Sequence, residues 1–222
     1  MAISVVMDDS KRYSVSRYFQ DRAIGQNKKL RTRGVLFDSA LVMFCQEGIS
    51  NTRLDDITQC AGMANATFYN HFKDKDELVQ ALAMAMAVEL LGPLKGLSVE
   101  ITDTPTLVAV GNTMVMSAAL EQKSWGTFLA QSFYLVPPSY VDVKILMKEI
   151  FDMGVEQGFF TVILDEFQMD QVYSVMLSGL RTLDHHDDES LIDRTSENML
   201  RVLGMSPVSA SLAVAKGRAF IR

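Results

Sequence analysis

From Lys28 to Glu47 the apolar positions Leu36, Phe37, Ala40, Leu41 and Phe44 recur every three or four residues, the spacing of a helix with one buried stripe. Gly48 supplies its stop. Thr52 opens a short helix, its hydroxyl a cap and Asp55 three residues on, in the manner of a capping box. Leu54, Ile57 and Ala61 form its inner face, and Gly62 ends it after barely two turns. A turn at Met63-Ala64-Asn65 leads into a second short helix, Ala66–Phe72, with Phe68 and Phe72 inward. Asp74 caps a much longer helix running from Lys75 to about Leu91.

Two short helices joined by a tight, Gly-containing turn and packed on a longer one describe a helix-turn-helix. Neither short helix can stand alone, so Leu36, Ala40, Phe44, Leu54, Ile57, Ala61, Met63, Phe68 and Phe72 are expected to share one small core. Beyond it, periodic segments predict helices near 80–92, 105–121, 123–135, 139–157, 164–182 and 188–203. The five prolines fall where those segments stop, and no alternating run suggests a strand. The expected fold is all-α. Residues 1–27 read as an arm with room for some helix, 28–76 as the helix-turn-helix domain, 77–204 as a larger helical domain and 205–222 as a tail or a short added helix.

Charge changes this picture modestly. The net charge is −6, but residues 1–75 hold 11 Lys and Arg against 8 Asp and Glu, while the remainder holds 10 against 19. A mildly basic front and an acidic back suit a chain whose front meets a polyanion. Two cysteines, Cys45 and Cys60, are too few for a disulfide framework and read as small buried side chains. No apolar run is long enough for a membrane span, and the charges of the first residues follow an apolar run, the reverse of a secretory signal. A cytoplasmic protein with no membrane partner is expected.

With Phe68 and Phe72 buried, Asn65, Thr67, Tyr69, Asn70 and His71 are left on the outer face, with Thr52, Arg53, Lys73 and Lys75 at adjoining helix ends. These are hydrogen-bond donors of the kinds that hold phosphates and read base edges. Asn65, Ala66, Thr67 and Asn70 stand near the start of the second helix, where such motifs enter the major groove. Ala66 offers a methyl to thymine, and Thr52, Tyr69, His71 and Lys75 are expected on phosphates. Any solvated helix face is also polar, so a helical module that does not read DNA stays open. Lys28, Lys29, Arg31 and Arg33 fit either a DNA-contacting arm or a solvated tail.

These residues resemble the N-terminal domain of the tetracycline-repressor (TetR) family of bacterial transcriptional regulators. The resemblance covers about residues 30–80 and is carried by Phe44 and Gly48, Thr52, Asp56-Ile57, Ala61-Gly62, Thr67-Phe68-Tyr69, His71-Phe72 and Lys75, with Arg33 at the usual basic position. Thr58 and Arg53 depart from the family's usual residues without breaking the pattern. The resemblance implies a two-domain homodimer that binds a short palindromic operator in double-stranded DNA. It implies release when a small-molecule effector occupies the C-terminal domain.

Beyond residue 80 only the architecture is similar to that family. The last two long helices are expected to pair across a dimer, through Val172, Val175, Met176, Gly179 and Leu180 on one and Ile192, Met199 and Leu203 on the other. A cavity among the middle helices is expected to be lined by Met114, Met116, Trp125, Phe128, Phe133, Tyr134, Phe151 and Tyr173, although such residues at helical spacing also serve as plain core. Asp184-His185-His186-Asp187-Asp188-Glu189 has metal-ligating residue types, but adjacent residues converge poorly on one ion, and Asp187 or Asp188 equally fits a helix cap. No catalytic arrangement, cofactor or metal is expected.

Overall fold

The computed structural model describes residues 17–136, 141–186 and 188–221, and every regular element among them is helical. In chain order these are α1 (Tyr18–Arg22), α2 (Lys28–Glu47), α3 (Leu54–Cys60), α4 (Asn65–Tyr69), α5 (Lys75–Leu91), α6 (Leu94–Leu97), α7 (Thr104–Glu121), α8 (Lys123–Leu135), α9 (Val141–Glu156), α10 (Glu166–His185), α11 (Ser190–Val202) and α12 (Pro207–Gly217), followed by a 3-10 turn. None of the described helices is long and apolar enough to cross a membrane.

Local chemistry sets most of the boundaries. Asn27, Asp74, Asp103, Asp165 and Ser206 each accept a backbone N–H of the helix they precede. Gly48 and Gly62 take positive φ, 78° and 64°, where other residues are strained. Beyond Gly62, the Met63 N–H reaches back 2.9 Å to the Thr58 carbonyl and closes α3. The cap of α3 lies one residue later than the sequence pattern suggests. Arg53 is the N-cap, and Asp56, not Asp55, accepts its N–H at 2.8 Å. Thr52 instead turns its hydroxyl onto the carbonyls of Gly48 and Met43, at 2.8 and 3.2 Å.

Leu36, Ala40, Phe44, Ile57, Phe68 and Phe72 are all but fully buried together, with Leu54, Ala61 and Met63 partly buried against them. This core does not stop at residue 76. It continues along α5 through Leu78, Leu82 and Met86 into α7, α8 and α10, so α5 belongs to both halves of the chain.

The described residues at both ends, 17–27 and 205–221, pack on the helical body. Residues 17–27 of the expected arm include α1, whose Phe19 and Gln20 N–H groups each donate to the buried Asp38 carboxylate at 3.0 Å. Tyr18 meets the Trp125 ring edge-on at 4.9 Å, and Arg22 pairs with Glu89 of α5. At the other end, the expected tail forms α12, which buries Ala210, Ala213 and Val214 and packs on α7 and α11. Lys216 pairs with Asp103 and Arg218 with Asp193.

The expected dimer residues need a correction. Val172, Met176, Gly179, Leu180, Ile192, Met199 and Leu203 are buried within this one chain, and only Val175 is partly open. The apolar stripes of α10 and α11 face α7, α8 and each other. At Gly179 a Cβ would come 2.4 Å from the Thr195 hydroxyl, so a glycine is needed for that approach. The outer side of α10 presents Phe167, Gln171, Ser174 and Ser178 instead.

Candidate nucleic-acid interface and cavity

The outer face of α4 is open. Ala66, Tyr69 and Asn70 are exposed, Tyr69 at 59%, and Thr67 is half-buried beside them. Phe68, on the opposite face, is sealed in the core and fixes the rotation of this five-residue helix. Arg53 at the start of α3 and Lys73 just after α4 are exposed at its flanks. Lys28, Lys29 and Arg31, in the first turn of α2, are exposed as well.

The other named positions are engaged by the chain itself, which corrects the expectation that they stand free. Thr52 is 2% exposed. The Lys75 ammonium donates to the carbonyls of Ile49 at 2.6 Å and Thr52 at 2.8 Å, closing the loop between α2 and α3. The Asn65 amide bridges α3 and α4, donating to Asp55 at 2.5 Å and accepting from the Thr58 hydroxyl at 2.6 Å. Arg33 lays its guanidinium 4.5 Å from the centre of the Phe72 ring, and burial lowers its pKa. His71 is half-buried with Nδ1 unpartnered among the described residues. Burial, then the Arg33 and Lys29 charges, hold its pKa below the usual imidazole value, so it is a neutral donor at pH 7. The reading face is therefore uncharged, with cations at its rim.

A second feature lies in the helical body, where α5, α7, α8, α9, α10 and α11 enclose a cavity of about 50 Å³ with an almost wholly apolar wall. Phe133, Phe151 and Tyr173 line it. Burial raises the Tyr173 phenol's pKa, keeping it neutral. The other five aromatic and Met candidates lie elsewhere, for packing reasons. Trp125 is covered by α1, Phe128 stacks on Phe44 at 5.8 Å, and Met114 packs with the satellite cluster of Leu94, Ile101, Leu107 and Val110. Met116 is fully buried by Gly179, and Tyr134 points to solvent at 59% exposure.

The reading and cavity regions touch through α8. Besides the Phe44–Phe128 stack, the Ile49 N–H donates to the Gln131 side chain at 3.1 Å. No group of three or more potential metal ligands occurs among the described residues. Asp188 accepts from the Ser190 N–H at the start of α11, while Asp187 lies outside the described residues. Cys45 and Cys60 form no disulfide. Hydrophobic periodicity passed over Asp38, Asn112 and Gln131. The available signal for the first two was a short polar interruption of an apolar run, Asp38-Ser39 in VLFDSALV and Asn112-Thr113 in LVAVGNTMV.

Comparison with known proteins agrees with this arrangement. Residues 36–82 match the family model described as "Bacterial regulatory proteins, tetR family". The transcriptional repressor KstR2 of Mycobacterium tuberculosis is 26% identical over 163 residues, spanning 69% of this chain and 78% of its own length. The regulator AcrR of Shigella flexneri is 45% identical over 47 residues, about a fifth of each chain. Among solved structures, RolR in complex with resorcinol superposes with a TM-score of 0.68 at 22% identity, covering 85% of this chain and 95% of its own. FadR of Bacillus subtilis with stearoyl-CoA gives 0.62 at 15% identity, covering 76% and 96%. These two share the fold. With its helix-turn-helix and helical body, the chain is similar to the tetR family of bacterial regulatory proteins, by the family model over residues 36–82 and by fold beyond them.

Proposed function

We propose that this chain is a ligand-responsive transcriptional repressor that places α4 in the major groove of an operator and lets go when a small molecule occupies the cavity. The observation that carries the reading is the open outer face of α4, where Ala66, Tyr69 and Asn70 are exposed and Thr67 is half-buried beside them. Thr67, Asn70 and the Ala66 methyl are suited to base edges, while Tyr69, Arg53 and Lys73 reach for phosphates. Ligand complexes of fold relatives, one with resorcinol and one with stearoyl-CoA, support a sensing role for the helical body. The almost wholly apolar cavity wall favours a hydrophobic effector.

As a dimer, the chain would present two reading helices to two half-sites about 34–36 Å apart, matching a palindrome. The outer side of α10, with Phe167, Ser174, Val175 and Ser178, is the surface we assign to that pairing. Occupancy would act through α5, which lines the cavity and carries on into the reading unit, and through the Phe44–Phe128 and Ile49–Gln131 contacts.

The test is binding to the DNA flanking the coding region across a salt series. Specific binding that weakens steeply with salt is expected, as phosphate contacts release counterions. Thr67→Ala and Asn70→Ala should each cost about 1–3 kcal/mol on the preferred site and relax preference at one position. If footprinting and titration find no salt-sensitive complex on any flanking DNA, the chain is a sensing module that does not read DNA.

A further inference from the structure

Helix α7 runs as LVAVGNTMV through the apolar body, and Asn112 is its single amide, 3% exposed. Its Nδ2 donates to the Ser196 hydroxyl at 2.8 Å and to the Ile192 carbonyl at 3.3 Å, both on α11. The Ser196 hydroxyl donates in turn to that same carbonyl at 3.0 Å, leaving only lone pairs to offer the amide. Two acceptors on the α11 side fix which end of the amide is nitrogen. The oxygen, Oδ1, is left buried with no hydrogen-bond partner among the described residues.

Asn112 belongs to the wall of the apolar cavity, beside Val108, Val115 and Met176. A buried carbonyl lacking a donor has lost its hydrogen bonds to water without replacement, a cost that a ligand bringing its own donor would remove. No Asp, Glu, Lys or Arg is in that wall, so a charged ligand would be desolvated without compensation. We infer that the effector is an uncharged, largely apolar molecule carrying a hydroxyl or amide N–H that donates to Asn112 Oδ1. This rests on the cavity being the effector site proposed above. At about 50 Å³ the space holds the polar head of such a molecule but not a ring. Entry must therefore part the walls, to which α5 contributes Ala83, Ala87, Leu90 and Leu91.

The test uses titration calorimetry of the full chain with three probes of similar bulk: phenol, which donates, anisole, which accepts only, and toluene, which does neither. Phenol loses the most hydration on entry, so a merely apolar cavity ranks it last. With Asn112 Oδ1 as acceptor, phenol binds about tenfold or more tighter than anisole, a difference of ~1.4 kcal/mol. Asn112→Leu then brings phenol to the anisole level or below and leaves toluene within about twofold. Phenol no tighter than anisole in the unmutated chain overturns the inference and leaves the cavity as an apolar effector site. A phenol preference that survives Asn112→Leu overturns the assignment to this residue. No binding by any probe overturns the effector-site reading itself.

Discussion

One carboxylate holds the first helix in place. Asp38 is fully buried, and its two oxygens take the N–H groups of Phe19 and Gln20. Burial outweighs those hydrogen bonds and pushes its carboxyl up to about 6. Between about pH 4 and pH 6 the folded chain keeps a proton that the unfolded chain has lost. This contribution to stability is complete below about pH 4 and is lost as pH rises through about 6. Denaturant titrations at successive pH values should show wild type losing stability relative to Asp38→Asn across that window and running parallel above pH 7. Asp38→Ala should cost about 1–3 kcal/mol and release α1, seen as a red shift in the fluorescence of Trp125, the chain's one tryptophan.

Lys75 and Lys73 make a sharper pair because they are near neighbours with different surroundings. Lys75→Met removes donors from the buried carbonyls of the α2–α3 loop and should lower stability by about 1–3 kcal/mol in thermal unfolding. Lys73→Ala touches nothing comparable and should leave stability within about 0.5 kcal/mol. If Lys73 meets a phosphate, the same substitution lowers the logarithmic salt slope of operator binding by about 0.9 for each half-site contact.

Short helices in this protein are placed by their neighbours. The five residues of α4 could not hold a helix in isolation, and Phe68 and Phe72 sealed into the α2–α3 core set which side faces out. In α1 the same role falls to a close approach, since a Cβ on Gly34 would sit 2.6 Å from the Phe19 carbonyl oxygen. Gly34→Val should therefore displace α1 and expose Trp125 even with Asp38 intact. On α10, the inner stripe is spent on the chain's own core, so the proposed pairing between subunits would fall on the outer stripe. Phe167→Glu combined with Val175→Arg should shift sedimentation from dimer to monomer while circular dichroism stays unchanged. A dimer that persists would place the pairing surface elsewhere.

Across the chain, the reading unit and the cavity share one continuous hydrophobic core, so a change in one has a solid path to the other. Gln131 lies on that path without belonging to either end. Gln131→Leu is expected to preserve operator affinity to within about threefold yet reduce an effector's influence on it by about fivefold, or ~1 kcal/mol of coupling. Anisotropy titrations with and without effector measure both quantities.

The helix-turn-helix was legible in the linear chain because its signals are local. Caps, positive-φ glycines and a three-to-four-residue apolar period are each written within a few residues of where they act. Periodicity states that a face is buried but not what buries it. Trp125 therefore looked like a cavity residue and proved to lie under α1, and the α10 stripe looked like an interface and proved to be core. The docking of α1 and α12 depends on partners far away in sequence, Asp38, Gly34, Asp103 and Asp193 among them. The amino-acid order determined the helices and the outward polarity of α4. The packing of those helices decided which polar groups stayed free, where the cavity opened and that Asn112 kept an unfilled acceptor, because each depends on contacts between segments that no local pattern records.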